Sequence, residues 1–159
     1  MIDPFEHAAL MHMLVVGDLD QIANHLGSLP PMGRCLAETF WPGPLTLLIR
    51  APAALPEEVT GGTGRVGVRV PAHGVARGLC RACHRPLTAT SANLSGEPPS
   101  ADPDEVARTL GARIDLLLDD GRAPGGQPST IVDVTGSAPR LVRAGALAWD
   151  QVQACVSRA

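Results

Sequence analysis

The residues best suited to chemistry are small hydroxyls, one amide and a few arginines, spread over several short stretches. In TATSANLSG, Thr88 to Gly96, Ser91 and Asn93 follow a brief apolar run. In GRVGVRVP, Arg65 and Arg69 flank Gly67 on the strand face opposite Val66, Val68 and Val70, because side chains alternate along an extended chain. Ser129 and Thr130 stand at the entrance of the run STIVDVTG, and Arg143 comes two residues before Gly145 in RLVRAG. Singly, each is ordinary: Ser/Asn/Gly clusters build turns, and alternating arginines make a solvated strand face. Together, hydroxyls, an amide and guanidinium groups at several element ends describe an anion pocket for a nucleotide or phosphorylated ligand, with no obvious nucleophile and no metal set.

Elements must hold those residues in place, and the chain alternates strand-like and helix-like runs. ALMHMLVV reads as a strand; Asp18 caps a following helix with Gln21 three positions in, and Gly27 stops it. PMGRCLAETF reads as a helix ended by WPGP, LTLLIRA and GRVGVRVP as strands, VARGLCRAC as a helix, and RPLTAT as the strand entering the Ser91–Asn93 loop. Asp102, Pro103 and Glu105 make a strong helix start, with Asp at the cap, and that helix runs to Leu110. IDLLL, STIVDVTG and RLVRAG follow as short strands, and WDQVQACV closes the chain as a helix. Helices interleaved with strands predict an α/β (α+β) fold: a twisted mixed sheet with helices packed on it, in a single domain over 1–159.

Composition narrows the function classes. The 159 residues are 45% hydrophobic, the size of one globular domain with a real core. With 17 Gly and 15 Pro, tight turns are frequent, and no collagen-like or solenoid period appears. The net charge of −3 disfavours broad phosphate neutralisation on a nucleic acid, so direct RNA binding is expected to be weak or absent. Every basic residue is Arg; a bound anion must be held by guanidinium forks, backbone N–H groups or hydroxyls. No run reaches the roughly 18 apolar residues of a membrane span, and MIDPFEHAAL lacks a basic signal-peptide region, which predicts a soluble cytoplasmic protein.

CRACH, Cys80 to His84, matches a haem-attachment pattern. The spacing of Val75, Leu79 and Cys83, with Ala76 and Cys80 beside them, instead predicts an amphipathic helix with buried thiols. Cys35 and Cys155 add no second pair with zinc-ligand spacing.

FWPGPLTLLI, GRVGVRVP, TATSANLSGEPP, PSTIVDVT and LVRAG, in this order, resemble the YrdC-like domain of the L-threonylcarbamoyladenylate synthase family from about Leu10 onward. The resemblance implies a nucleotidyltransferase that joins L-threonine, bicarbonate and ATP into threonylcarbamoyl-AMP and pyrophosphate. Other proteins then transfer the threonylcarbamoyl group to tRNA. Residue by residue, it implies L-threonine contacts at Arg69, Ala89 and Ser129, with Ala89 serving through its backbone. It implies ATP contacts at Ser91, Asn93 and Arg143, and at two nucleotide-edge positions, Arg65 and Pro99. ATP is then a substrate, expected with Mg²⁺, and no side chain is implied as a nucleophile.

The match departs from the family at its start. The family's Thr-rich first segment and its basic pair for ATP have no counterpart; the pair falls around Ile2 to Glu6, and Met13, next to His12, stands where a histidine is expected. An N-terminally shortened domain is one expectation, with three sources: a misplaced start, a natural short homologue binding a nucleotide or double-stranded RNA without catalysis, or completion by a partner chain. The missing cations are expected to weaken triphosphate binding by roughly 2–5 kcal/mol and leave this chain alone poorly active.

Overall fold

The computed structural model describes residues 13–158. Six strands form one sheet in the order β4-β1-β3-β2-β5-β6, with β1 at Met13–Val15, β2 at Leu45–Arg50, β3 at Arg65–Arg69, β4 at Leu87–Ala89, β5 at Thr130–Asp133 and β6 at Arg140–Arg143. β1 runs parallel to β3 and β2 parallel to β5, while the other neighbours are antiparallel. This is the mixed sheet with packed helices that the alternation of runs predicts. The N-terminal half of the predicted first strand, the Ile2–Glu6 stretch and His12 lie outside the described residues.

The period of two sorts the sheet into two faces. Val66, Val68, Leu45, Leu47 and Val132 are fully buried and join Leu14, Ile22 and Leu36 in one core. Burying each such aliphatic side chain stabilises the fold by roughly 1.5–3 kcal/mol relative to exposure. The helices α1 (Leu19–His25), α2 (Pro31–Phe40) and α6 (Trp149–Val156) supply the cover, burying Ile22, Leu36 with Ala37, and Val152 respectively. Asp18 caps α1 by accepting from the Gln21 amide at 3.1 Å, and Gly27 leaves the helix at a φ of 88°, as their residue types require. A four-residue helix, α3 (Glu57–Thr60), follows Pro56 and carries no periodic signal.

Two sequence expectations are corrected. The helix α4 (Gly74–Ala82) buries Cys80, but Val75 and Leu79 are each 39% exposed and Cys83 is exposed. Polar anchoring sets this rotation. Arg81 pairs with Asp18 at 2.9 Å, and the buried Gln21 amide donates to the Cys80 carbonyl at 2.7 Å while accepting from Gly17 N. These bonds hold the Cys80 side of the helix against α1 and leave the aliphatic stripe at the surface. The second correction is IDLLL, which is not a strand: after a single 3-10 turn at Gly111–Arg113 the chain is irregular, and Leu116 is 71% exposed. An apolar run makes a strand only where a neighbouring edge supplies hydrogen bonds, and no described strand offers one here.

Two compact units make up the described chain: Thr90–Gly126, and the remainder, which holds the whole sheet. Within Thr90–Gly126, α5 (Pro103–Leu110) starts at Asp102, whose side chain accepts from the Asp104 amide at 3.0 Å.

Candidate functional site

The sheet face opposite the core carries most of the predicted polar residues. Strand register places Val15 beside Arg69, Thr46 beside Ile131, and Ile131 beside Arg143; the pairing of Leu47 with Val68 brings Thr46 next to Arg69 one step further on. Arg69, Thr46, Ile131 and Arg143 thus form one row across four strands. The neighbouring row holds Ala89, Met13, Gly67, Leu48 and Asp133. Gly67 has a steric reason in that row, since a Cβ there would lie 3.3 Å from the Thr46 methyl.

Ser129, immediately before β5, is the hub. The residue is 4% exposed. Arg143 donates through Nη2 to the Ser129 carbonyl at 2.8 Å and to Ser129 Oγ at 3.2 Å. Ser129 Oγ lies 2.8 Å from Thr46 Oγ1, which reaches Met13 Sδ at 3.5 Å. A guanidinium can only donate, so one proton order satisfies all three contacts: Arg143 to Ser129, Ser129 to Thr46, and Thr46 to Met13. Ser129 is therefore held as a buried, pre-oriented hydroxyl. Its backbone is placed as closely. A Cβ on Gly145 would stand 2.3 Å from the Pro128 carbonyl oxygen, the Ala146 amide donates to that oxygen, and Thr130 Oγ1 both donates to and accepts from Leu147 backbone groups.

Arg69 is fixed at one point only. Its Nε donates to the Gly43 carbonyl at 2.9 Å, leaving two terminal nitrogens with no hydrogen bond to any described residue. Neither Arg69 nor Arg143 forms an ion pair with a described carboxylate. Burial first, and then the neighbouring Arg143 charge, lowers the Arg69 pKa; both effects oppose the charged form. Two guanidinium groups near each other and unpaired with any described carboxylate have the chemistry to hold an anion.

Arg65 shares the strand face with Arg69 but stands in different company. It pairs with Asp133 Oδ2 at 3.2 Å, and Arg140 binds the same oxygen at 2.9 Å. Asp133 Oδ1 accepts from the amide and hydroxyl of Thr135 at 2.9 and 2.7 Å. Burial alone would raise the Asp133 pKa, yet the Thr135 bonds, Arg140 and Arg65 outweigh it, and the carboxyl sits below its ordinary value. The anion demand of Arg65 is thus met from within the protein.

Ala89 ends β4 on the same face as Met13. Ser91, Asn93 and Pro99 belong to the Thr90–Gly126 unit. Ser91 and Pro99 are exposed, and Asn93 braces a turn, donating from Nδ2 to the Leu94 and Glu97 carbonyls at 2.8 and 2.7 Å. Asn93 Oδ1 is buried and accepts no hydrogen bond, an unused acceptor that the turn itself does not explain. The structure therefore gathers Arg69, Ser129 and Arg143 on one face, with Ala89 at its β4 end.

Four residues with structural roles here escaped the sequence reading: Thr46, Gly43, Asp133 and Gly145. Thr46 had a signal, being the one hydroxyl inside the apolar strand LTLLIR, and Asp133 is the one acid in STIVDVTG. Gly43 and Gly145 act through backbone proximity, which no local pattern reveals. No group of three or more His, Cys, Asp or Glu gathers as a metal site among the described residues, and no described helix is long and apolar enough to cross a membrane.

Comparison with known proteins gives the family and the fold. A family model named for Sua5, YciO and YrdC, described as "Telomere recombination", matches residues 9–145. The chain is 34% identical over 94% of its length to a threonylcarbamoyl-AMP synthase of Pyrococcus abyssi, and 34% identical over 96% of its length to one of Bacillus subtilis. It spans 43% and 44% of those two proteins, less than half of each. Among solved structures, that of Pyrococcus abyssi Sua5 complexed with L-threonine aligns with a TM-score of 0.83 at 33% identity, covering 91% of this chain and 43% of that one.

Proposed function

This chain belongs to the Sua5/YciO/YrdC family, and from that premise we propose that it is the synthase domain that condenses L-threonine, bicarbonate and ATP into threonylcarbamoyl-AMP and pyrophosphate. The observation that carries the reading is the pair Arg69 and Arg143, close enough for one charge to act on the other and neither paired with a described carboxylate, with Arg143 bonded to the buried Ser129 hydroxyl. The terminal nitrogens of Arg69, which bond no described residue, match a carboxylate fork and take the threonine carboxylate. Ser129 contacts the amino acid, and the Ala89 backbone borders it. Arg143, already anchored on the Ser129 carbonyl, turns its remaining donors to the phosphates. Ser91 and Asn93 contact the nucleotide, Asn93 through its unsatisfied Oδ1, with Arg65 and Pro99 at the nucleotide edge.

In the reaction the threonine amine takes up carbon dioxide from bicarbonate to give a carbamate. A carbamate oxygen attacks the α-phosphorus of ATP, the bond to the β-phosphate breaks, and pyrophosphate leaves. No protein nucleophile is needed. Catalysis rests on alignment and on positive charge where negative charge accumulates. Mg²⁺ would enter with the triphosphate, and this chain is assigned no ligand for it: Asp133, the buried acid of this face, has both oxygens occupied by Arg65, Arg140 and Thr135. The product is proposed to pass to proteins that transfer the threonylcarbamoyl group to tRNA in the cytoplasm.

Pyrophosphate release from ATP, measured with and without L-threonine and bicarbonate, tests the reading. Release dependent on both supports it. Binding of ATP or double-stranded RNA without threonine-dependent release would instead make the chain a catalytically incomplete binding module.

A further inference from the structure

Outside the residues of that sheet face, two thiols approach each other between helices. Cys35 in α2 and Cys155 in α6 are separated by 120 positions, yet their sulfurs lie 3.1 Å apart. That is closer than even an ordinary carbon–carbon contact of about 3.5–4.0 Å. Each sulfur also approaches the other residue's carbonyl oxygen, at 3.7 and 3.8 Å, and Thr39 Oγ1 lies 3.3 Å from Cys155 Sγ. Both cysteines are half-buried and free. They line a cavity of about 500 Å³ together with Thr39, Asp150 and Arg158, so a small solute can reach the sulfurs. The remaining cysteines differ: Cys80 is buried and donates to the Val15 carbonyl, while Cys83 is exposed.

We propose that Cys35 and Cys155 are a thiol modification site that reacts with low-molecular-weight disulfides and closes into a disulfide joining α2 to α6. One protein thiolate attacks a sulfur of the small disulfide, forming a mixed disulfide and releasing one small thiolate. The second protein thiolate attacks the protein-bound sulfur, forming the Cys35–Cys155 bond and expelling the second small thiolate. The protein loses two electrons and two protons, and the oxidant becomes two thiols. The sulfurs need move only about 1 Å to reach the bonded separation of about 2.05 Å, and the facing helices already present them to each other. The Cys155 contact, burial and the nearby Glu38 charge hold the Cys35 thiol above its ordinary pKa, which makes the exchange slow near neutrality and leaves the pair reduced until an oxidant is supplied.

Incubating the purified chain with oxidised glutathione, followed by non-reducing peptide mapping, tests this. The expected result is a Cys35 peptide linked to a Cys155 peptide, a melting temperature raised by roughly 5–15 °C because the bond closes a long loop, and reversal of both by a reductant. Cys35→Ser and Cys155→Ser should each leave a stable glutathione adduct on the remaining partner and lose the rise in melting temperature. The proposal is overturned if the wild-type map shows both thiols free, a persistent adduct on either one, or linkage only through Cys80 or Cys83.

Discussion

Two arginine pairs share one face of the sheet and behave oppositely. Arg65 and Arg140 converge on the buried Asp133, which pairs with both and is itself held by Thr135. Arg69 and Arg143 lie near enough that, besides burial, the Arg143 charge lowers the Arg69 pKa; Arg143 is bonded to Ser129 and Arg69 to the Gly43 carbonyl, and neither pairs with a described carboxylate. Arg65 and Arg69 are neighbours on one strand face and indistinguishable by period or residue type. What separates them is a single carboxylate. The charge of the first pair is answered within the fold by Asp133, whereas that of the second is answered by no described carboxylate.

The sharpest way to break this comparison is to remove a member of the unneutralised pair. Arg69→Ala should lower threonine-dependent pyrophosphate release by roughly 100- to 1000-fold, since a bidentate charged contact is lost. Its melting temperature should change little, because the lost Gly43 bond is offset by relief of the charge on Arg143. Steady-state kinetics beside a thermal melt reads both.

Removing the acid that the other pair shares should invert the outcome. Asp133→Ala leaves two guanidinium groups unpaired and the Thr135 turn uncapped, a loss of about 2–4 kcal/mol that appears as a melting temperature lower by roughly 5–15 °C. The pH dependence follows the same carboxyl. Its folded pKa lies below the ordinary value, so its stabilisation is complete above the unfolded aspartate pKa and disappears as pH falls through the folded one. Denaturant titrations of wild type and Asp133→Ala should therefore diverge above that range and converge toward strong acid.

Gly145→Ala sharpens the role of Ser129. The new Cβ, 2.3 Å from the Pro128 oxygen, forces the strand entrance to shift, with an expected cost of about 1–3 kcal/mol in stability. Release of pyrophosphate should fall with it by roughly 10-fold or more, because a small misplacement of Ser129 spoils alignment. Thr46→Val is the mildest test. It removes the acceptor that orders the Ser129 hydroxyl while keeping the shape of the strand, and should raise KM for threonine roughly 3- to 10-fold, about one hydrogen bond, with kcat less affected. An unchanged KM would show that Ser129 orients itself.

Much of the frame was legible beforehand. The valines of GRVGVRVP marked their buried face, Asp18 and Asp102 marked helix starts, and the helix–strand alternation marked a layered sheet. The failures share one cause. IDLLL lacked a partner edge, and the Val75–Leu79 stripe turned outward because Arg81 and Gln21 anchor the opposite side of that helix to distant residues. Of the candidate residues, the structure groups Arg69, Ser129 and Arg143. For the same reason Asp133 and Thr46 went unnoticed: their importance lies in what other strands place beside them.

Residue type and period alone therefore determined which side chains face the core, which helices begin where, and that any anion site would be built from arginine and hydroxyls. Only the tertiary structure decided which arginines are spoken for, that Ser129 is buried with an ordered proton, and that Cys35 meets Cys155. Backbone propensities and alternation act between near neighbours, whereas charge neutralisation and sulfur contact depend on strand order and helix packing across the whole chain.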